Sequence, residues 1–281
     1  MILLDLNQVF ISNLMQSIKK LNKNEINENL IRHMVLNTIR SYNKKYKTKY
    51  GEMVICCDGK HYWRKDYFPL YKANRKKDRE KSPLDWGLIF DCLSKIRLEL
   101  EANAPYKVMY LDSTEADDII ATLCKNTKED ILIVSSDGDF AQLQKYPNVQ
   151  QFSPKLQQYI TIEDPELYLK EHIIRGDAGD GVPNILSNDN VFVMGIKQKS
   201  IYNTKIEKWL NEEPEEFCTT EQMKRNFYRN KKLVDLSEIP EDIQNQIIDQ
   251  FKQPKLGSKN KLMEYFMENR MKELMLVLDE F

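Results

Sequence analysis

Four short apolar runs, Ile2 to Leu6, Met53 to Cys57, Lys107 to Leu111 and Ile131 to Val134, each stop at an acid or a turn. Between them, apolar residues recur every three or four positions at Gln8 to Lys20, Glu28 to Lys45, Leu84 to Glu101 and Glu115 to Asn126. The first pattern suits parallel strands buried on both faces, and the second suits helices with one apolar stripe. Their alternation predicts an α/β fold, a mostly parallel central sheet with helices on both faces joined by right-handed crossovers. Val149 to Ile162 reads as a hairpin. Pro165 to Arg175 reads as a helix that runs into Gly176-Asp177-Ala178-Gly179-Asp180-Gly181-Val182-Pro183. Residues 184–281 are mainly helical, punctuated by Pro214, Pro240 and Pro254. The expected division is an α/β domain over 1–183 and a smaller helical domain over 184–281.

In open parallel sheets, ligands bind beyond the carboxyl ends of the strands. Asp5, Asp58, Asp112 and Asp137 all fall at or just after such ends. Taken singly, the acidic motifs have ordinary readings. Thr114-Glu115-Ala116-Asp117-Asp118 suits a capped helix start, Ser135-Ser136-Asp137-Gly138-Asp139 a polar turn, and Gly176 to Asp180 a helix end followed by another turn. Jointly they gather Asp5, Asp58, Glu115, Asp117, Asp118, Asp137, Asp139, Asp177 and Asp180 near one sheet edge with no interleaved cations. Unit charges ~4 Å apart repel by about 4 kcal/mol at an effective dielectric near 20, so the cluster calls for bound cations or raised pKa values. Hard oxygen donors without His or Cys favour Mg²⁺, with Mn²⁺ as a substitute. Two such ions about 3.5–4 Å apart supply an activated water and stabilise the departing oxygen of a phosphodiester. Within the helix start, Glu115 and Asp118 share a face and Asp117 points elsewhere.

Composition narrows the setting. The 281 residues are 41% hydrophobic and 10% aromatic, which fits a folded protein and not a disordered one. No run of eighteen apolar residues occurs, and Met1 leads straight into Ile2-Leu3-Leu4 and an acid, so neither a membrane span nor a signal peptide is expected. A soluble, cytoplasmic monomer follows as the expectation. Five scattered cysteines (Cys56, Cys57, Cys92, Cys124, Cys218) and three histidines argue against zinc and for small core residues in a reducing compartment.

The net charge of −1 hides local segregation, since residues 60–81 hold nine Lys or Arg against three Asp or Glu. This basic, aromatic segment leaves the active edge directly. Its cations suit phosphates and its rings suit unpaired bases. Trp63 and Phe68 are better read as core, whereas Lys72 and Arg75 make a cationic pair over an acidic site.

Asp5, Cys57-Asp58, Tyr71-Lys72-Ala73-Asn74-Arg75, Glu115-Ala116-Asp117-Asp118, Ser136-Asp137-Gly138-Asp139 and Gly176-Asp177-x-x-Asp180 occur here in one order. That order resembles the flap endonuclease and 5′-3′ exonuclease superfamily over residues 1 to about 200. The branch that it resembles most is that of the T-even bacteriophage ribonucleases H, through Tyr62 to Asp66, Ile133 to Phe140 and Lys145 to Val149. The resemblance implies a first metal among Asp5, Asp58, Glu115, Asp117 and Asp137, a second among Asp139, Asp177 and Asp180, and Asp118 in either shell. It implies that Lys72 and Arg75 act with Asp137 in catalysis, from an arch or bridge over 60–82 that admits a 5′ single strand. Arg64, Lys65, Tyr71, Lys76 and Lys77 would assist there in holding nucleic acid. The implied activity is 5′-3′ exonuclease and flap cleavage, with ribonuclease H removal of RNA primers from RNA–DNA hybrids in phage replication inside the host cytoplasm. A sliding clamp or single-strand binding protein is a candidate partner.

The chain departs from the family after Asp180. Gly181 replaces the usual Asn, eleven residues from Asn184 to Met194 precede Gly195-Ile196, and Lys197 stands where a second Gly is usual. Lys197 and Lys199 are the remaining candidates for duplex phosphates, and the sequence leaves open whether this stretched segment binds duplex DNA or a monovalent ion. Because the chain opens directly on its first strand, no partner-binding tail is expected ahead of the sheet. The competing readings are a PIN-type ribonuclease, which needs neither the basic bridge nor a second lobe, and a catalytically silent structure-specific binding protein, which needs no full acid set. A haloacid-dehalogenase-like phosphatase fails because Asp5-Leu6-Asn7 lacks the second Asp of that nucleophile motif.

Overall fold

The computed structural model describes residues 1–18, 27–82 and 84–281. Strands β1 (Ile2–Asp5), β2 (Met53–Cys56), β3 (Lys107–Met109) and β4 (Ile131–Val134) are the four apolar runs. Strands β5 (Val149–Ser153) and β6 (Gln158–Ile160) form the expected hairpin. The sheet order is β3-β2-β1-β4-β5-β6, parallel throughout except for β6. The strand order therefore reverses between β1 and β4, which opens a crevice at their carboxyl ends where Asp5 and Asp137 emerge.

Helix α1 (Leu6–Ile18) follows β1 without a loop. The expected helix over Gln8 to Lys20 is this one, and its positions 19 and 20 lie outside the described residues. Helix α2 (Glu28–Tyr50) runs five residues past its expected end. Two short helices, α3 (Trp63–Tyr67) and α4 (Asn74–Glu80), occupy the basic segment, and α5 (Trp86–Asn103) and α6 (Ala116–Asn126) complete the crossovers. A 3₁₀ segment (Gly138–Lys145) follows β4. Beyond the hairpin come α7 (Pro165–Arg175), α8 (Val191–Met194), α9 (Asn203–Leu210), α10 (Pro214–Phe217), α11 (Glu221–Val234), α12 (Glu241–Lys252), α13 (Lys259–Glu268) and α14 (Lys272–Met275).

Strand residues alternate between two cores, as a sheet covered on both faces requires. Ile2, Leu4, Met53, Ile55, Leu132 and Val134 face α1, α2 and α5, whereas Leu3, Val54, Ile131 and Ile133 face α6 and α12. A third apolar cluster joins α7 to α9, α10 and α11 through Ile174, Trp209, Phe217 and Phe227. Polar side chains of α11 tie this lobe down. Asn230 donates to the carbonyls of Ile173 and Pro183, and Asn226 to those of Ile185 and Ser187.

The C-terminal helices are shared between the lobe and the sheet. Helix α12 packs on α6, while Leu262, Phe266, Leu274 and Phe281 enter the core beneath α2 and α5. Gly257 makes that return possible, because a Cβ there would stand 2.1 Å from the Ala104 carbonyl oxygen. No helix among the described residues is long and apolar enough to cross a membrane.

Candidate metal centre

Each acid of the crevice is aimed by a local bond. Gln8 N donates to Asp5 Oδ1 at 3.1 Å and Ser135 Oγ to Asp5 Oδ2 at 2.9 Å. Asp58 accepts from Ala116 N at 2.9 Å and from Asn7 Nδ2 at 3.0 Å, which ties the end of β2 to the start of α6 and to α1. Asp137 Oδ1 accepts from Asp139 N at 3.0 Å in a tight turn, and Gln151 Nε2 holds the Asp137 carbonyl at 2.7 Å. Asp5, Asp58, Asp117 and Asp137 consequently line one open cleft of about 630 Å³, with Lys72, Arg75 and Lys155 on its walls. Asp112, the other strand-end acid, is exposed and lies outside it.

The electrostatics separate two kinds of carboxylate. Burial, with repulsion from Asp58 and Asp137, pushes Asp5 up to about 8. Burial and the neighbouring Asp139 push Asp137 up to about 7. Asp117 is raised well above the carboxylate range by burial and Asp137. Asp58 is raised by burial although Lys72 opposes the shift. Asp177 is raised by burial, Asp180 and Asp139. Asp180 differs: burial acts upward, but Lys72, Arg75 and the Tyr71 hydroxyl hold it below its usual value. Tyr71 Oη donates to Asp180 Oδ2 at 2.7 Å, Lys72 Nζ lies 3.3 Å from the same oxygen, and Arg75 pairs with Oδ1.

The basic segment is docked on the Gly176–Gly181 turn. Lys72 N donates to the Asp180 carbonyl at 2.7 Å, Asn74 Nδ2 to that of Ala178 at 2.9 Å, and Arg75 Nε to that of Gly179 at 3.1 Å. Gly181, the departure from the family pattern, has φ +72°, and a Cβ there would meet Asn74 Oδ1 at 2.9 Å. Lys72 itself sits at φ +56°, a left-handed conformation uncommon for a side chain of its size. Its ammonium pairs with Glu115 as well as Asp180, so it spans the two acidic groups.

Three of the side chains marked in the sequence are engaged within the protein. Asp118 is fully buried, and its oxygens are taken by Arg64 Nη1 at 2.8 Å, Trp63 Nε1 at 3.2 Å and the Glu115 backbone N–H at 2.9 Å. It caps α6. Arg64 is 2% exposed, pairs with Glu115 at 3.0 Å and Asp118, and donates to the Leu233 carbonyl. Tyr71 is buried with its hydroxyl on Glu115 and Asp180. Glu115 lies at the rim of the cluster, its carboxylate engaged by Arg64, Tyr71 and Lys72.

Lys65 and Lys76 are exposed. Lys77 is exposed and donates to the Val193 carbonyl at 2.6 Å, joining α4 to α8. Lys197 and Lys199 are exposed beside Arg175 on a separate groove of about 560 Å³, shaped by Asn184 Nδ2 donating to the Lys199 carbonyl.

His172 was not anticipated. Its Nε2 stands 2.8 Å from Asp139 and 3.8 Å from Asp177, in a cluster of three potential ligands. Burial acts to lower its pKa, but the carboxylates of Asp139, Asp177 and Asp137 raise it overall. The position five residues before Asp177 carries no spacing signal, so the expectation of an all-oxygen cluster is amended here. Gln8, Ser135 and Gln151 were likewise unmarked. The crowded carboxylates fit hard divalent cations: oxygen donors converge, and among the described residues no side-chain cation forms an ion pair with Asp5, Asp58, Asp117 or Asp137.

Residues 1–172 match the family described as 5′-3′ exonuclease, N-terminal resolvase-like domain, and residues 163–281 match that described as T4 RNase H, C terminal. The ribonuclease H of Enterobacteria phage T4 is 35% identical over 291 aligned positions, covering 99% of this chain and 95% of that protein. Among solved structures, bacteriophage T5 5′-exonuclease with bound zinc superposes with a TM-score of 0.65 at 17% identity, covering 90% of this chain and 98% of that one. T5 flap endonuclease, in a pseudo-enzyme–product complex with DNA and metal ions, gives 0.64 at 19% identity and covers 90% and 99%. At these identities the T5 structures establish a shared fold.

Two outcomes test this geometry. Arg64→Ala strands Asp118 as a buried charge without a cationic partner and is expected to lower unfolding stability by about 3–5 kcal/mol in chemical denaturation. A change within about 1 kcal/mol, as for an exposed pair, would contradict the burial argument. For the pH dependence, Asp5 and Asp137 have folded pKa values of about 8 and about 7, above their unfolded values. The folded protein then binds more protons than the unfolded chain between about pH 4 and 8, so metal-free stability falls as pH rises across that window. Denaturation at pH 5.5 and 8 in chelator checks this, and higher stability at pH 8 would contradict it.

Proposed function

This chain belongs to the 5′-3′ exonuclease family, in the branch of phage T4 ribonuclease H, and on that premise we propose that it removes RNA primers and 5′ flaps annealed to DNA by divalent-metal phosphodiester hydrolysis. It is a nuclease. The observation that carries the metal dependence is the cleft at the β1/β4 switch point, where Asp5, Asp58, Asp117 and Asp137 converge with no ion-paired cation among the described residues.

In this reading Asp5, Asp58, Glu115, Asp117 and Asp137 hold one ion, and Asp139, Asp177 and Asp180 a second. Bound ions supply an activated water and stabilise charge on the departing 3′ oxygen. Mg²⁺ is the proposed physiological ion, because the first set is all oxygen.

The chain's own residues do the positioning. Gln8 and Ser135 fix both oxygens of Asp5, and Ala116 N and Asn7 fix Asp58, so the carboxylates hold their directions when substrate arrives. Lys72 and Arg75 neutralise Glu115 and Asp180 in the free protein. A scissile phosphate entering the cleft competes for the same ammonium and guanidinium, which places their charge on the reacting group and frees the carboxylates. Lys65 and Lys76 then contact flanking phosphates, and Lys197 and Lys199 the duplex backbone beyond the second shell. A PIN-type ribonuclease reading loses ground because the helical C-terminal region packs into both the lobe and the sheet core. The setting we propose is replication in an infected bacterium's cytoplasm, alongside a sliding clamp or single-strand binding protein.

An end-labelled comparison of flap, nicked and RNA–DNA hybrid substrates tests the proposal. Short products are expected from the 5′ end with Mg²⁺ and none in chelator; cleavage that persists in chelator would remove the metal mechanism. Asp137→Asn is expected to cut turnover by about 10³-fold or more while hybrid binding is largely kept. Equal loss of both would undo the separation of chemistry from grip.

A further inference from the structure

His172 belongs to none of the acidic motifs, yet α7 delivers it to them. Its Nε2 lies 2.8 Å from Asp139 Oδ1 and 3.8 Å from Asp177 Oδ2, and the three potential ligand atoms lie within 4.8 Å of one another. Ligands about 2.0–2.2 Å from one ion stand at most ~4.4 Å apart. The three donors thus stand close enough for small side-chain rotations to bring them onto one ion.

Several independent contacts hold the nitrogen there. The imidazole stacks on Tyr168, with ring centroids 6.1 Å apart and planes 16° from parallel. The Tyr168 hydroxyl donates to the Gly138 carbonyl at 3.1 Å, between Asp137 and Asp139, so the ring that backs His172 is anchored to the acidic turn. The His172 carbonyl accepts from Gly176 N at 2.8 Å, which turns the chain into Asp177. Asp177 divides its oxygens: Oδ1 accepts from Asp180 N at 3.0 Å, leaving Oδ2 to face the ring. Nε2 is turned toward these carboxylates and makes no aligned hydrogen bond, with Asp139 Oδ1 as its near neighbour.

We propose that His172 is a nitrogen ligand to the divalent ion of the second shell, beside Asp139 and Asp177. The inference rests on the two-shell reading above and deepens it. Imidazole is a softer donor than carboxylate and binds Mn²⁺, Co²⁺ or Zn²⁺ more readily than Mg²⁺. The two shells therefore differ in metal preference: the first is an all-oxygen site suited to Mg²⁺, and the second is a mixed site that discriminates toward transition ions.

The test uses the full chain and Mn²⁺ alone. Paramagnetic counting of bound ion is expected to give two Mn²⁺ per chain, and pulsed resonance a histidine nitrogen coupling on one of them. His172→Ala is expected to abolish that coupling and weaken one of the two ions by roughly 10- to 100-fold, with a smaller change for Mg²⁺ measured by competition. His172→Gln serves as the second variant should the alanine form fold poorly, and the wild-type nitrogen coupling reads out without any variant. Two bound ions with no nitrogen coupling would overturn the proposal while leaving the two-shell reading intact, His172 then acting only as an imidazolium counter-ion. A single bound ion, unaffected by Asp139→Asn or Asp177→Asn, would overturn both.

Discussion

Mutual repulsion among buried carboxylates is the constraint around which this molecule is arranged. Asp5, Asp58, Asp117 and Asp137 are carried to one crevice because three parallel strands and one helix start end there. Among the described residues none of the four forms an ion pair with a side-chain cation, and burial, with neighbouring carboxylates, raises each above its ordinary value. Such an arrangement is unfavourable for folding alone. The surrounding core, covered on both sheet faces, is large enough to hold it, and in the proposed function a divalent ion would convert the repulsion into coordination.

Around that centre lies a second set of acids that the protein has already neutralised. Asp118 is sealed by Arg64 and Trp63, Glu115 by Arg64, Tyr71 and Lys72, and Asp180 by Tyr71, Lys72 and Arg75. The basic segment thus has two duties that its composition does not distinguish. Arg64 is architecture, fixed beneath α6 and against α11. Lys72 and Arg75 stand on the cleft wall, held there by the carboxylates of Glu115 and Asp180.

How much of this is legible in the sequence follows from which contacts are local. The strands are readable because a buried parallel strand must be apolar on both faces, and Asp5, Asp58 and Asp137 are readable because each terminates such a run. The internal partners of Arg64 and Tyr71 are not legible for a physical reason. A Lys, Arg and aromatic run has one appearance whether its cations face solvent or face acids from elsewhere in the chain, and Asp118 lies 54 positions from its Arg64 partner. His172 is hidden similarly, since its approach to Asp139 depends on α7 packing against the 3₁₀ segment after β4. The return of Phe266 and Phe281 to the core beneath α2 is also a long-range event that helical periodicity in the last hundred residues does not encode. The stretched segment after Asp180 is partly readable: Gly181 marks the left-handed turn on which the basic segment docks.

The central claim is that the crevice holds two divalent ions in unequal shells, and anomalous diffraction from crystals grown in Mn²⁺ measures it most directly. The account predicts two peaks, one among Asp5, Asp58, Asp117 and Asp137 and one against Asp139, His172 and Asp177. A single peak, or manganese found only on exposed carboxylates away from the crevice, would contradict it.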